Sequence, residues 1–563
     1  MLQKKGGNYD IMNKKNLSKV LALLLSVMML TVLFAGCGKS SSKDENQKIV
    51  YNLGAQPQTI DPAKNTATDG GNVITACFEG LTRYDKDSKM KPGVAEKWDI
   101  SDDKVTYTFH LRKDAKWSDG SPVTADDFVY AWKRVLDPAT EAAYVYQLFC
   151  IKGAEEYYTA LSKKEDADFN NVGIKVKDPN TLEVTLKAPT PYFLELCSFA
   201  TFMPLKKDAV EKDPEGWTMD PSTYIGNGPF KLTEISEKEK YECAKNDKYW
   251  DAKNVKLNAL TFVMIIEPSS AMGSYDKGDV DVLDAVPPEE IQRLKDAGEY
   301  NIVPYIGTYF ACFNTKKAPF DNEKVREAFT LAIDRQPLID AILKAGQKPA
   351  TAFVPYGIYE EGTTEFRTKG GDYYKPEGDV AKAKQLLADA GYPNGQGLPE
   401  ITYLYNTSEN HKAIAEALQN MWYKNLGVKV KIQNMDWAVF QDARQQGNYQ
   451  IARHGWIGDY SDPMTFLDMW VTGGGNNDAK YSNPQYDKLI KDASNEPDAK
   501  KRMEMLHQAE DILMKDYPVC PLYFYVNQVV EKPYVKGVYK VPTGGIYFDN
   551  AYIDEDAKAG KTK

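Results

Sequence analysis

The alternation of strand and helix patterns between residues 401 and 456 constrains the fold more than any other feature of the chain. Apolar runs typical of strands occur at 401–405, 428–433 and 449–456, and helical patterns lie between them at 408–426 and 436–446. A β-α-β-α-β order predicts a parallel sheet with helices on its faces. Ligands of such sheets bind at the carboxyl ends of the strands, in the crevice where the strand order reverses.

The last of these strands runs directly into a group of side chains suited to binding. Arg453, Trp456 and Asp459 follow one another closely, and the Asp462-Pro463 pair then ends the segment. A carboxylate can hold an ammonium, an arginine can hold a carboxylate through a fork of N–H donors, and an indole supplies a flat apolar wall. A lone loop aspartate is usually just solvated, but Asp459 lies past one strand end and His411 past another. One ligand that carries both charges is a peptide.

Length, composition and charge describe an ordinary globular body of more than one domain. The chain has 563 residues, of which 42% are hydrophobic and 27% charged, and its formal net charge is −10. Residues 1–36 carry five Lys and one Asp, so the chain without them has a formal charge of −14. An acidic body argues against nucleic acid as a partner.

The first 47 residues are predicted to target and anchor the protein rather than to fold. Three lysines precede an uncharged run that closes on Leu-Phe-Ala-Gly-Cys at 33–37. This resembles a lipoprotein signal, although Phe34 departs from the usual aliphatic residue. The resemblance implies a signal peptide at 1–36, lipidation of Cys37 and a flexible polar tether over 37–47, which would hold the protein on the outside of the cell membrane. A permanent N-terminal transmembrane helix is the alternative.

The six cysteines beyond Cys37 do not form a metal-binding pattern. They are widely spaced and include no C-x-x-C pair, so they are expected to act as small buried apolar residues. One or two disulfides remain possible, but the sequence does not pair the cysteines.

Several ordered motifs along the chain carry a family resemblance. The motifs are FEGL at 78–81, YTFHLRKDAKWSDGSPVTADDFVYAWKR at 107–134, LYNTSENHK at 404–412, FQDARQQGNYQIARHGW at 440–456, KYSNPQYDKLI at 480–490 and YFYVNQVVEKP at 523–533. Together they resemble the oligopeptide-binding proteins that feed bacterial ABC importers, in the peptide/nickel type of extracellular solute-binding protein. The resemblance runs from about residue 49 to the C-terminus.

The resemblance implies an α/β, three-lobed periplasmic-binding-protein-like fold of class II type, with mixed sheets and the ligand in the cleft between lobes. Lobe I would comprise 48–78 with 204–305 and 527–563, lobe II would comprise 79–203, and lobe III would comprise 306–526. Lobes of this kind close over a ligand by hinge motion.

The resemblance also assigns roles to the charged candidates. Asp459 matches the acid that holds the peptide ammonium, and Arg453, Arg444 and His411 match positions near the peptide carboxylate. Several cations at different depths would serve peptides of different length. Lys344 matches a further cation near the carboxylate, but a cation favoured at a helix C-terminus is an equal alternative. Arg444 on a helix surface and His411 as a cap-region polar residue also remain open.

Uncharged candidates complete the expected site. Trp437, Trp456 and Tyr525 match aromatic walls, with Trp437 as an ordinary core residue the alternative, and Tyr144 is a candidate cleft residue. The segment Thr66, Ala67 and Thr68 matches one that lies along the peptide backbone, where main-chain hydrogen bonds would ignore side-chain identity.

Local patterns predict further elements outside the site. Alternation predicts a half-buried strand at 105–111, Thr124 with Asp127 predicts a capped helix, and 173–177 with 181–186 predicts a hairpin. A single helix is expected over 322–344, capped by Asp321.

The expected function is capture of short oligopeptides for the permease and ATPase subunits of an ABC importer, without a cofactor. Related proteins that carry dipeptides, a nickel chelate or an oligosaccharide are the nearest alternatives. A secreted peptidase is the rival from another class, but the chain has no G-x-S-x-G, H-E-x-x-H or G-x-x-x-x-G-K-[ST] motif and only four His. The expectation is therefore a binding protein and not an enzyme.

Overall fold

Three sheets of four or more strands carry the body of the chain in a computed structural model, which describes residues 47–560. The predicted signal peptide, Cys37 and the tether up to residue 46 lie outside the described residues. Among the helices of residues 47–560, none is long and apolar enough to cross a membrane.

The six-stranded sheet contains the predicted β-α-β-α-β unit. Its strands in order are Lys348–Pro349, Val519–Phe524, Gly307–Phe313, Ile451–Ile457, Ile401–Asn406 and Val430–Met435. The last three are parallel, as predicted, and helices Glu409–Leu426 and Trp437–Gln445 connect them. The other pairings are antiparallel, so the sheet as a whole is mixed.

The order of the parallel strands creates a crevice at their carboxyl ends. Strand Ile401–Asn406 lies in the middle, and the chain passes first to Val430–Met435 on one side and then to Ile451–Ile457 on the other. This reversal is where ligands of open α/β sheets bind. His411 and Asp459 both follow strands that end here.

The other two large sheets come from different parts of the chain. The seven-stranded sheet is mixed and has the order Tyr300–Val303, Asn527–Glu531, Val282–Leu283, Lys48–Asn52, Ala259–Val263, Lys240–Lys245 and Phe230–Ser236. The four-stranded sheet is antiparallel and has the order Ala95–Ile100, Thr106–Leu111, Thr181–Thr185 and Ile174–Asp178. The predicted strand at 105–111 and the predicted hairpin are therefore confirmed.

Smaller elements complete the described residues. Two-stranded ribbons pair Thr82–Tyr84 with Met90–Pro92, Tyr359–Glu361 with Thr364–Glu365, Val535–Lys536 with Tyr552–Ile553, and Tyr539–Lys540 with Ile546–Tyr547. The other helices of eight or more residues are Thr68–Cys77, Ala125–Val135, Ala154–Ser162, Pro268–Lys277, Glu323–Leu331, Val380–Asp389, Pro484–Ala493 and Ala499–Asp516.

One of the two predicted helix caps is present in the structure, and the other is not. The capping box of Thr124 and Asp127 is present at the start of helix Ala125–Val135. The single helix predicted over 322–344 is wrong, because the chain forms Glu323–Leu331 and a separate short helix Leu338–Leu343. Pro337 fits the break at 332–335, because a proline inside one continuous helix would clash with the carbonyl four residues before it, whereas it is tolerated in the first turn of a new helix. The cap is Asn322, whose side chain accepts from the Lys324 N–H at 3.0 Å, and not Asp321.

The chain crosses between the seven-stranded and six-stranded sheets twice. The crossings lie between Val303 and Gly307 and between Phe524 and Asn527. The strands of the three sheets come from the chain segments that were predicted to form the three lobes. The exact boundaries of the lobes stay a prediction. The six cysteines in residues 47–560 are all free, and five of them are buried.

Candidate ligand-binding site

A cavity of about 430 Å³ lies where segments of all three sheets meet. Every predicted ligand contact except Lys344 lines it: Thr66, Ala67, Thr68, His411, Trp437, Arg444, Arg453, Trp456, Asp459 and Tyr525. Tyr144, the candidate cleft residue, also lines the cavity. The fold therefore brings together residues that are up to 459 positions apart in the chain.

Asp459 is a buried carboxylate without a cationic partner in residues 47–560. It is 8% exposed, its Oδ1 accepts from the Tyr144 hydroxyl at 2.9 Å, and its Oδ2 accepts from Gln147 Nε2 at 3.0 Å. Thr465 supports the loop, because its hydroxyl accepts from the Asp459 N–H at 2.9 Å. Burial raises the pKa of Asp459 to about 7, although these hydrogen bonds oppose the shift. A cation in the cavity would restore the charged form.

Arg453 is a cation without an acidic partner among the described residues. Its Nη2 donates to the Tyr525 hydroxyl at 3.1 Å, and its guanidinium lies 5.0 Å from the ring centroid of Tyr309. Its Nε has no hydrogen-bond partner. Gly455 makes room for this arrangement, because a Cβ there would lie 2.3 Å from the Tyr525 hydroxyl. The guanidinium can therefore accept a carboxylate from a ligand.

Arg444 lines the same cavity but already has an acidic partner. Its Nε donates to Asp478 Oδ2 at 2.6 Å, and both side chains are buried. His454, which the sequence left without a role, lies 3.1 Å from the same oxygen and stacks on Phe310. Burial alone would raise the pKa of Asp478, but Arg444 and His454 hold it below its usual range. The role of Arg444 near a ligand carboxylate stays a prediction, and its guanidinium is already paired with Asp478 in this structure.

The other two predicted cations also differ from expectation. Burial, together with the nearby Arg453, lowers the pKa of His411 well below its usual range, so the imidazole is neutral at pH 7. It lies 3.2 Å from the Tyr309 hydroxyl. Lys344 is exposed and ends the short helix Leu338–Leu343 in a left-handed conformation, outside the cavity lining. Lys344 as a ligand contact stays a prediction, and the alternative of a cation favoured at a helix C-terminus fits its position.

The aromatic and backbone candidates lie on the cavity wall. Trp437 Nε1 donates to Asp69 Oδ2 at 2.7 Å, whereas the buried Trp456 Nε1 has no partner. Ala67 is extended, but Thr68 is already the first residue of helix Thr68–Cys77. The stretch available for strand-like pairing with a peptide therefore ends at Ala67, one residue earlier than expected.

Direct contacts shut the cleft around the cavity. Tyr192 stacks on Tyr460 with ring centroids 4.0 Å apart and an interplanar angle of 5°. Beside this stack, the Ser461 N–H donates to Glu195 Oε2 at 2.8 Å. Together with the Tyr144 contact to Asp459, these contacts join the segment that carries the four-stranded sheet to the segment that carries the six-stranded sheet.

Several cavity residues were not found from the sequence. Asp69, Gln441 and Asp478 line the cavity, and Gln147 donates to Asp459 from behind it. Gln441 lies within the motif at 440–456 but was not singled out there, and the other three belong to none of the motifs, so only their spatial neighbours distinguish them. Within residues 47–560, no group of three or more His, Cys, Asp or Glu side chains is placed to hold a metal ion.

Comparisons with known proteins show which family this chain belongs to. A family model described as bacterial extracellular solute-binding proteins, family 5 Middle, matches residues 89–478. The dipeptide-binding protein DppE of Bacillus subtilis is 39% identical over 92% of this chain and 95% of its own length. The crystal structure of Haemophilus influenzae OppA in complex with RPPGFSPFR is similar with a TM-score of 0.83, at 38% identity over 91% of this chain and 99% of that one.

A third relative indicates which conformation this chain adopts. The structure of the Escherichia coli murein tripeptide binding protein MppA matches with a TM-score of 0.83, at 36% identity over 90% of this chain and 99% of that one. Its unliganded open form matches with a TM-score of only 0.59, at 36% identity over 90% and 98%. The arrangement described here thus differs from an open form, in agreement with the contacts across the cleft. The chain belongs to the bacterial extracellular solute-binding proteins of family 5.

Proposed function

We propose that this protein captures short peptides with free ends outside the cytoplasm and delivers them to the permease and ATPase subunits of an ABC importer. The relatives named above are described as binding a dipeptide, a murein tripeptide or, in one crystal structure, the peptide RPPGFSPFR. Peptide is the ligand class that these descriptions share.

One observation carries the proposal: one cavity is lined by both a carboxylate and a guanidinium, Asp459 and Arg453, that lack an ion-pair partner among the described residues. Asp459 has no cation beside it and Arg453 has no carboxylate beside it in the described part of the chain. Removing charges from water is costly unless they are paired. A peptide with a free ammonium and a free carboxylate pairs both, whereas an oligosaccharide pairs neither.

Closure of the cleft follows from the same contacts. Asp459 belongs to the segment that carries the six-stranded sheet, and it accepts hydrogen bonds from Tyr144 and Gln147 of the segment that carries the four-stranded sheet. A peptide ammonium at Asp459 would therefore touch both sides of the cleft. Such a ligand favours the closed form because it binds that form better. The two chain crossings near residues 305 and 525 would act as the hinge, with lobe boundaries as predicted above.

We favour binding without catalysis over the rival peptidase. The two histidines on the cavity wall contact Tyr309 and Asp478 rather than a serine or cysteine that could act as a nucleophile. Peptide returned intact after long incubation with the purified protein is the expected outcome.

The protein would be held at the outer face of the cell membrane by a lipid on Cys37. The support is the sequence at 33–37 and the polar residues that follow it. Two acyl chains on one cysteine suffice for stable anchoring. Incorporation of a labelled fatty acid into the wild-type protein tests this part of the proposal.

The decisive experiment replaces Asp459. Asp459→Ala should weaken binding of a free tripeptide by roughly 30-fold to several thousand-fold, because it leaves the peptide ammonium enclosed without a partner. Calorimetric titration with the free and the N-acetylated forms of one tripeptide measures the effect. The acetylated form should bind wild type poorly and lose much less in the variant, which is the signature of a direct pair.

The matched control is Asp276→Ala, which removes an exposed carboxylate outside the cavity lining and should leave both affinities unchanged. Thermal stability of the unliganded Asp459→Ala protein should not fall. Equal weakening of both wild type and Asp459→Ala by acetylation would show that Asp459 does not hold the peptide amino terminus.

A further inference from the structure

The cavity wall carries one carboxylate more than its own arginines and the two ends of a peptide with uncharged side chains can pair. Three carboxylates, those of Asp69, Asp459 and Asp478, face two guanidiniums, those of Arg444 and Arg453. Arg444 and Asp478 pair with each other. If the peptide ammonium pairs with Asp459 and the peptide carboxylate with Arg453, Asp69 is left without a cation.

One face of helix Trp437–Gln445 connects this acid to the rest of the cavity. Trp437, Gln441 and Arg444 stand at positions i, i+4 and i+7, so they lie above one another on the same helix face. Asp69 contacts the first of them, since its Oδ2 accepts from Trp437 Nε1 at 2.7 Å. Asp478 contacts the last, at 2.6 Å from Arg444. All five residues line the cavity.

Two buried acceptors beside this face have no donor among the described residues. Gln441 is 1% exposed and its Oε1 has no hydrogen-bond partner, and Asp478 is 3% exposed and its Oδ1 has none. Buried acceptors in folded proteins normally have a partner, so a donor from a ligand or from water would satisfy each of these two oxygens. The side chains with several donors and no acceptor are those of lysine and arginine.

We propose that Asp69, Trp437 and Gln441 form a subsite for a basic side chain of the bound peptide. The aliphatic stem of the lysine or arginine would lie on the indole of Trp437, and its charged head would pair with the Asp69 carboxylate, with Gln441 one helical turn further along the same face. The proposal rests on the proposed peptide-binding function and narrows its substrate class to peptides with a net positive charge.

A simpler role for Asp69 makes a different prediction. Asp69 stands in the first turn of helix Thr68–Cys77, where an acid is favourable, and its contact to Trp437 links the two sides of the cleft. In that role Asp69 would favour closure over every peptide alike. Asp69→Asn separates the two roles, because asparagine keeps an acceptor for Trp437 Nε1 but lacks the charge.

The test uses three pairs of tripeptides on an alanine background. In each pair one position carries either lysine or norleucine, which has a similar chain without the charge, and calorimetry measures both affinities. At one of the three positions lysine should bind roughly 10-fold or more tightly than norleucine. Asp69→Asn should remove most of that preference and leave norleucine binding unchanged, and Asp276→Asn, the control, should change neither.

A second variant keeps the test valid if Asp69→Asn folds poorly. Gln441→Leu removes one unpartnered acceptor without changing charge, and it should lower the preference for lysine by a smaller factor.

Affinities for lysine and norleucine within about twofold at all three positions would overturn the subsite. Equal weakening of both peptides by Asp69→Asn would reduce Asp69 to a closing contact. Failure of all six peptides to bind would reject the peptide-binding function and the subsite with it.

Discussion

Two regions of one cavity wall contain an arginine from the same sequence motif, and they differ in what lies beside it. Around Arg453 the neighbours are tyrosines, and no carboxylate of the described residues pairs with the guanidinium. Around Arg444 the buried Asp478 lies at 2.6 Å and is shared with His454. The first region is therefore open to an anion and the second is already neutral.

This difference shows that a cation in a binding motif is not by itself an anion site. Arg444 and Arg453 are nine positions apart and the sequence assigned both to the peptide carboxylate. Asp478 lies 34 positions beyond Arg444, and its arrival at that guanidinium depends on the path of the chain after the strand Ile451–Ile457. Whether an arginine binds ligand or supports the wall is thus decided by a tertiary contact.

The largest expected effect is on stability in the Arg444 region. Arg444→Met leaves Asp478 buried without its cation, so the free energy of unfolding of the unliganded protein should fall by about 3–5 kcal/mol. Urea titration measures it. The double variant Arg444→Met/Asp478→Asn should recover most of the loss, and Arg293→Met, in an exposed ion pair, should cost less than about 1 kcal/mol. A loss equal to that of Arg293→Met would contradict the structural role of Arg444.

The next effect is on affinity in the Arg453 region. Arg453→Met should weaken binding of a free tripeptide by about 2–5 kcal/mol, because the peptide carboxylate then has no partner. Calorimetry should show a much smaller loss for the same tripeptide with an amidated C-terminus. The variant should not unfold more easily than wild type, since no described acid loses a partner. If Arg444→Met weakened the free peptide as much as Arg453→Met, the contrast between the two regions would be wrong.

A smaller effect is the pH dependence of peptide affinity, which tests the role of Asp459. Burial raises its pKa to about 7 in the unliganded protein, and a peptide ammonium beside it would lower that pKa in the complex. Binding must then release a proton below pH 7, so affinity should rise with pH by up to about 10-fold per unit and level off above pH 7. Titrations between pH 5 and 8 in buffers of different ionisation enthalpy measure both the affinity and the proton release.

The variant Asp459→Asn tests this pH dependence. Burial raises the pKa of Asp459 in the folded protein above its value in the unfolded chain, so the protonated carboxyl favours the folded state. This contribution to stability is fully present below the unfolded pKa and is lost as the pH rises through about 7. Asp459→Asn should therefore make the unliganded protein more stable than wild type at pH 8 and flatten the pH dependence of binding. A slope that persists in Asp459→Asn would assign the proton to another group, of which Asp69, whose pKa burial raises to about 6, is the nearest candidate on the cavity wall.

Local patterns in the sequence predicted many of the elements described here. Alternating apolar residues fixed the strand Thr106–Leu111, and Thr124 with Asp127 fixed the start of helix Ala125–Val135, because both depend on near neighbours in the chain. The break before Leu338 was missed although Pro337 is visible in the sequence. A proline near a helical pattern can start a second helix as well as end the first.

The sequence by itself determined the parallel β-α-β-α-β unit, the family resemblance and a set of predicted ligand contacts of which all but Lys344 line the cavity. These follow from periodicity, helix caps and ordered motifs, which are properties of short stretches. Only the tertiary structure decided the electrostatic state of those residues: Arg444 is neutralised by Asp478, His411 is neutral, and Asp69 and Asp459 have no cation beside them in the described part of the chain. Charge depends on burial and on partners from distant parts of the chain, and a linear pattern contains neither.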